Sequence, residues 1–65
     1  MPLADEELRI LAYVKKHGFI KRADAQKMLD VNEARARYLL QKMQKAGQLR
    51  KEGRYRDARY LPGYQ

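Results

Sequence analysis

The chain of 65 residues contains no cysteine, serine, threonine or tryptophan, and its one histidine is His17. Without Cys no disulfide can brace the fold. A lone His cannot assemble a zinc site, whose ligand sets draw on several Cys and His residues. The missing Ser, Thr and Cys nucleophiles remove most covalent catalysis, so any acid–base scheme would rest on carboxylates, Lys, Tyr and His17. Neither an enzyme nor a cofactor is therefore expected. No apolar run approaches the length of a membrane span or a signal-peptide core. The absence of Cys also fits a reducing compartment.

The residues that are present make a small core and a lopsided charge. A chain of this length makes one domain of marginal stability, because it buries a smaller share of its surface than a larger domain would. Residues 1–20 balance Arg9, Lys15 and Lys16 against Asp5, Glu6 and Glu7, so the net charge of +7 lies entirely between Lys21 and Arg59. Between Ala34 and Arg59 only Glu52 and Asp57 oppose nine cations. A solvated charged face normally interleaves its signs, so this bias implies a partner with dense negative charge, such as a nucleic acid.

Periodicity predicts a first helix over residues 5–16, capped by Asp5, with Glu6 and Glu7 complementing the helix dipole and Ile10, Leu11 and Val14 facing inward beside Leu3 and Leu8. His17 and Gly18 close it. Phe19 and Ile20 form an apolar connection to a second helix over residues 22–29, whose inner face is Ala25, Met28 and Leu29. Neither Lys21 nor Arg22 is a good cap for that helix. In the turn Asp30-Val31-Asn32, Asp30 tolerates left-handed backbone and Asn32 caps a third helix over residues 33–46, which buries Ala36, Leu39, Leu40 and Met43. Gly47 stops this helix. Residues 48–61 read as a hairpin around Gly53-Arg54-Tyr55, with Leu49, Tyr60 and Leu61 reaching back to the core, and Pro62 and Gly63 end regular structure.

The fold class expected is thus α+β and mostly α: a helix-turn-helix core of three helices with a two-stranded C-terminal wing. This layout resembles the winged helix-turn-helix DNA-binding domains. Ala36-Arg37-Tyr38-Leu39-Leu40, followed by Lys45-Ala46-Gly47 and a basic hairpin, is most similar to the short fimbrial operon regulators of the pap and fae type. The resemblance implies a third helix in the major groove of duplex DNA and a wing along the backbone or minor groove. Arg35 and Arg37 carry guanidinium forks suited to guanine O6 and N7 or to phosphates. Asn32 and Glu33 can approach phosphate and base edges, although capping alone explains both. Tyr38 either donates to a phosphate or covers the edge of the core, and Lys42 extends the basic face of the helix. In the wing, Arg50, Lys51, Arg54, Arg56 and Arg59 can neutralise phosphates, and Tyr55 can stack on a sugar.

Two other classes fit the same residues. A winged helix can serve as an interaction module that docks on a larger DNA-bound regulator, or a basic, Tyr-bearing hairpin can bind single-stranded nucleic acid or RNA. With no long dimerisation helix, a monomer is expected in isolation, with pairing on DNA as a route to tight specific binding. The expected location is cytoplasmic, nucleoid-associated and of bacterial or phage type, without a membrane partner. A start at Met1 suits an independent gene product, and a segment of a larger protein would look the same.

Overall fold

The computed structural model describes residues 4–54 and 57–63. Its elements, in chain order, are α1 (Asp5–His17), α2 (Arg22–Leu29), α3 (Glu33–Lys45), β1 (Leu49–Glu52) and β2 (Arg59–Pro62), and the two strands form an antiparallel sheet. Leu3, Tyr55 and Arg56, which carried sequence expectations, lie outside the described residues.

Local chemistry explains where α3 begins and ends. The Asn32 backbone is extended, and its Oδ1 accepts the Arg35 backbone N–H at 2.8 Å. Just before it, Asp30 takes a left-handed conformation at φ 55°, which Asp tolerates better than most side chains. Val31 N–H then donates back to the Gln26 carbonyl at 3.1 Å, closing α2. At the far end, Gly47 has φ 83°, and two bonds, Gln48 N–H to Met43 O at 2.9 Å and Gly47 N–H to Gln44 O at 3.1 Å, wrap the final turn in a Schellman motif. The helix proper ends at Lys45, with Ala46 as its cap, one residue short of the sequence expectation. Asn32→Ala should cost about 1 kcal/mol, and urea unfolding should show a lower midpoint with an unchanged m value.

The caps of α1 and α2 correct the sequence reading. Ala4, not Asp5, is the N-cap of α1, and its own N–H donates to Glu7 Oε1 at 3.0 Å. Lys21 caps α2 in the same manner, with its N–H donating to Asp24 Oδ2 at 3.1 Å. In both helices the acid at the third position supplies half of a capping box, so a poor N-cap side chain is tolerated. Gly18, at φ 89°, closes α1 by donating to the Val14 carbonyl at 2.7 Å.

The core draws on every element: Ile10 and Val14 from α1, Ala25 and Leu29 from α2, Ala36, Leu39, Leu40 and Met43 from α3, and Leu49 and Tyr60 from the hairpin. Met28 is only partly buried, and Leu8, expected beside the inner face of α1, is 51% exposed. Ile20 is more than an apolar connection. Its backbone bridges to Tyr60, with bonds of 2.9 Å in each direction, and adds a one-residue third strand to the sheet. The wing is therefore anchored to the α1–α2 junction as well as to α3.

Strand β1 pairs with β2 in the register Leu49↔Pro62, Arg50↔Leu61, Lys51↔Tyr60 and Glu52↔Arg59. Pairing thus continues through Pro62, one residue beyond the expected end. Pro is tolerated at such a strand terminus, where a missing N–H costs little. Gly63 N–H still reaches the Gln48 carbonyl at 3.0 Å, and any Cβ at Gly63 would collide with the Gly47 carbonyl oxygen. Among the described residues no helix is long and apolar enough to cross a membrane.

Candidate nucleic-acid interface

Successive residues of a helix turn by about 100°, so the exposed side chains of α3 fall into two groups on either side of its outermost line. Arg35, Tyr38 and Lys42 lean toward α1. Arg37 and Gln41, one turn apart, lean toward the wing.

On the α1 side the cations are already engaged. Arg35 Nη2 bonds Glu6 Oε1, and the Arg35 guanidinium lies 5.5 Å from the centre of the Tyr38 ring. The hydrogen bond from Arg35 is the main cause that holds the Glu6 carboxyl below its ordinary pKa. The same bond raises the Arg35 pKa further. Lys42 Nζ lies 3.5 Å from Oε2 of Glu7, the one charged side chain that is buried among the described residues. Because folding lowers the Glu6 pKa, the pair adds stability above the ordinary carboxylate pKa, and that stability disappears as pH falls through the lowered folded value. Melting temperatures of wild type and Glu6→Gln should therefore differ near neutrality and converge in acid, over a series from about pH 7 to about pH 2.

On the wing side the geometry is the opposite. A concavity of about 370 Å³ is lined by Arg22, Arg37, Gln41, Lys51, Arg54, Ala58 and Tyr60. Strand alternation explains its wing wall: Lys51 shares a sheet face with Leu49 and Tyr60, and all three look toward α3. Among the described residues no carboxylate lines this cleft. Arg22 has a nearby counter-ion, with its Nη2 3.4 Å from Oε2 of Glu33. Burial raises the pKa of the Tyr60 phenol, which Arg22 opposes in part, so the hydroxyl stays protonated at neutral pH and can donate.

The expected site residues thus sort by location. Arg37, Lys51 and Arg54 converge on the cleft, and Arg35, Tyr38 and Lys42 form a neighbouring face. Asn32 is committed to its cap and Glu33 to Arg22. Arg50 pairs with Glu52 along its own strand at 3.4 Å, and the Arg59 guanidinium lies 4.9 Å from the centre of the Phe19 ring, so neither lines the cleft. Sequence reasoning missed Arg22 and Gln41 as cleft residues. Gln41 was legible from its spacing of four from Arg37. Arg22 was not, because it arrives from another helix.

No protein-family model matches the chain, and no curated protein matches it in sequence. Solved structures are. RV1404 from Mycobacterium tuberculosis superposes with a TM-score of 0.80 at 16% identity, over 92% of this chain and 43% of that one. The ORF112-Zalpha protein of Cyprinid herpesvirus 3, solved for its binding mode to Z-DNA, gives 0.73 at 26% identity, over 94% of this chain and 100% of that one. The fold is a winged helix. A MarR protein from Peptoclostridium difficile adds a TM-score of 0.72 at 22% identity, over 92% of this chain and 40% of that one. The chain therefore spans less than half the length of the RV1404 and MarR chains and matches Zalpha over its whole length.

Proposed function

We propose that this winged helix binds duplex DNA, with α3 presented to the major groove and the wing to the sugar–phosphate backbone, and that it acts in transcriptional regulation. The observation that carries the reading is the convergence of Arg22, Arg37, Lys51 and Arg54 on one concave surface that no carboxylate among the described residues lines. Cations so placed in a concavity focus the field on an incoming polyanion. A backbone phosphate seated between α3 and the wing would gain charge-assisted bonds from both elements at once. Arg37 and Gln41 then lie where a base edge can be read, as Arg to guanine and Gln to adenine. The regulatory role rests on the resemblance of Ala36-Arg37-Tyr38 and the basic wing to pap- and fae-type regulators, and with it comes a second DNA-bound regulator as a partner. The protein acts by binding and without catalysis, as a monomer in isolation for which DNA is the place of pairing.

A second reading has its own support. The likeness to ORF112-Zalpha runs along that entire chain, and a cleft that grips phosphates suits recognition of backbone shape as well as of base edges. In this reading the ligand is left-handed duplex DNA. One binding series separates these possibilities, using a random-sequence duplex, an alternating CG duplex and the corresponding single strands. Tighter binding to duplex than to single strand is expected. Inversion of the circular dichroism of the CG duplex on adding protein would select the left-handed form, and stronger binding to single strands would overturn the duplex reading.

A further inference from the structure

A regulator of transcription that binds duplex DNA, as proposed for this chain, acts at chosen sequences, and Arg35 is placed to discriminate among them. By itself a guanidinium on an exposed helix face is an indiscriminate cation that attracts any phosphate. Its surroundings here are unusual for that task. Glu6, from a different helix and 29 positions earlier in the chain, accepts a hydrogen bond from Nη2, while the Tyr38 ring one helical turn on lies beside the guanidinium. The Arg35 side chain is nevertheless 46% exposed. A guanidinium has five N–H donors in a planar fork, so one edge can be held by Glu6 while the other stays open to solvent.

We propose, resting on the DNA-binding reading, that Glu6 is a specificity-determining residue of the DNA interface: it neutralises and aims Arg35, so that this arginine gains affinity from a correctly placed base edge and little from a phosphate. The joint charge of Glu6 and Arg35 is zero, so the pair releases few counterions and adds little to sequence-independent binding. The open edge keeps the donors needed for a bidentate contact with guanine. Two contacts also fix the guanidinium before DNA arrives, which reduces the entropy lost when a hydrogen bond must form in one geometry. Glu6 itself touches no DNA in this scheme and acts as a positioning residue through Arg35. Lys42 has a parallel arrangement with Glu7, but an ammonium lacks the planar fork and gains no directional readout from it.

The test compares wild type, Glu6→Gln and Asp5→Asn, each alone and combined with Arg35→Ala, on a selected duplex and a scrambled one across a salt series. Asp5 immediately precedes Glu6 in the first turn of α1, and its replacement removes the same charge without touching Arg35. Glu6→Gln should tighten scrambled-duplex binding severalfold and steepen the slope of log affinity against log salt by about 0.9, one phosphate contact's worth. Selected-duplex affinity should change less, so the ratio of the two falls. Asp5→Asn should leave the ratio as it is, and in the Arg35→Ala background Glu6→Gln should lose its distinct effect. Equal behaviour of Glu6→Gln and Asp5→Asn would reduce the effect to net charge and overturn the proposal. Persistence of the Glu6→Gln effect without Arg35 would overturn it too. Failure of wild type to bind any duplex is a separate result, because it removes the DNA-binding reading together with this inference.

Discussion

Replacing Arg37, Lys51 and Arg54 by alanine together is expected to weaken binding to every duplex and to flatten its salt dependence by about 2.7 in the log–log slope, at about 0.9 per phosphate contact. The three side chains approach the cleft from α3, β1 and the wing turn, and no acid among the described residues of its lining offsets them. If the Arg37 fork reads a base instead of a phosphate, Arg37→Ala alone should cost about 1 to 3 kcal/mol on the preferred sequence, and the slope change of the triple variant becomes about 1.8. All three residues are exposed and lie outside the core, so thermal unfolding should hardly change. A salt series on both a selected and a scrambled duplex reads all of this at once. An unchanged slope in the triple variant would show that the cleft does not meet the backbone, and a loss confined to one sequence would mean that base contacts, and not phosphate contacts, carry the cleft's binding.

The largest effect on folding is expected at Leu40. It is fully buried at the centre of α3, among side chains drawn from all five elements. Truncating such a Leu to Ala removes buried methyl groups and leaves a void, at about 2 to 5 kcal/mol. A domain of this size has roughly 3 to 10 kcal/mol in total, so Leu40→Ala should leave a substantial unfolded population at room temperature. By contrast Leu8→Ala, at a side chain that is half in solvent, should shift stability by no more than about 0.5 kcal/mol. Urea titration of both variants checks the contrast. A Leu40→Ala loss below about 1 kcal/mol would mean that the helices close over the gap.

The parts of the fold legible in sequence were those governed by local chemistry. Asn32 marks the start of α3 because its side chain reaches a backbone N–H three residues on, and Gly47 marks its end because left-handed geometry favours glycine. The caps at Ala4 and Lys21 were hidden, since the stabilising group is the acid three residues later and not the capping side chain. The basic character of the site was likewise visible in composition, but its division was not. Arg35 and Arg37 are two residues apart and alike in chemistry, yet one is held by Glu6 and the other opens on the cleft. That difference depends on where α1 and the wing dock against α3, which periodicity does not encode. Arg50 and Arg59 were grouped with Lys51 and Arg54 for the same reason, although strand alternation sets them on the opposite sheet face from Lys51.

The bridge between Ile20 and Tyr60 also bears on the order in which the chain assembles. Its partners are about forty residues apart, whereas the helices and the β1–β2 pairing close over short distances. Local segments form in microseconds, and a contact of long range must first overcome the entropy of closing its loop. The bridge should therefore be formed late, and mutations there should chiefly accelerate unfolding while leaving the refolding rate little changed. The Ile20 and Tyr60 amides should in turn exchange with solvent deuterium only when the whole molecule opens, making them two backbone reporters of global unfolding that lie outside the helices.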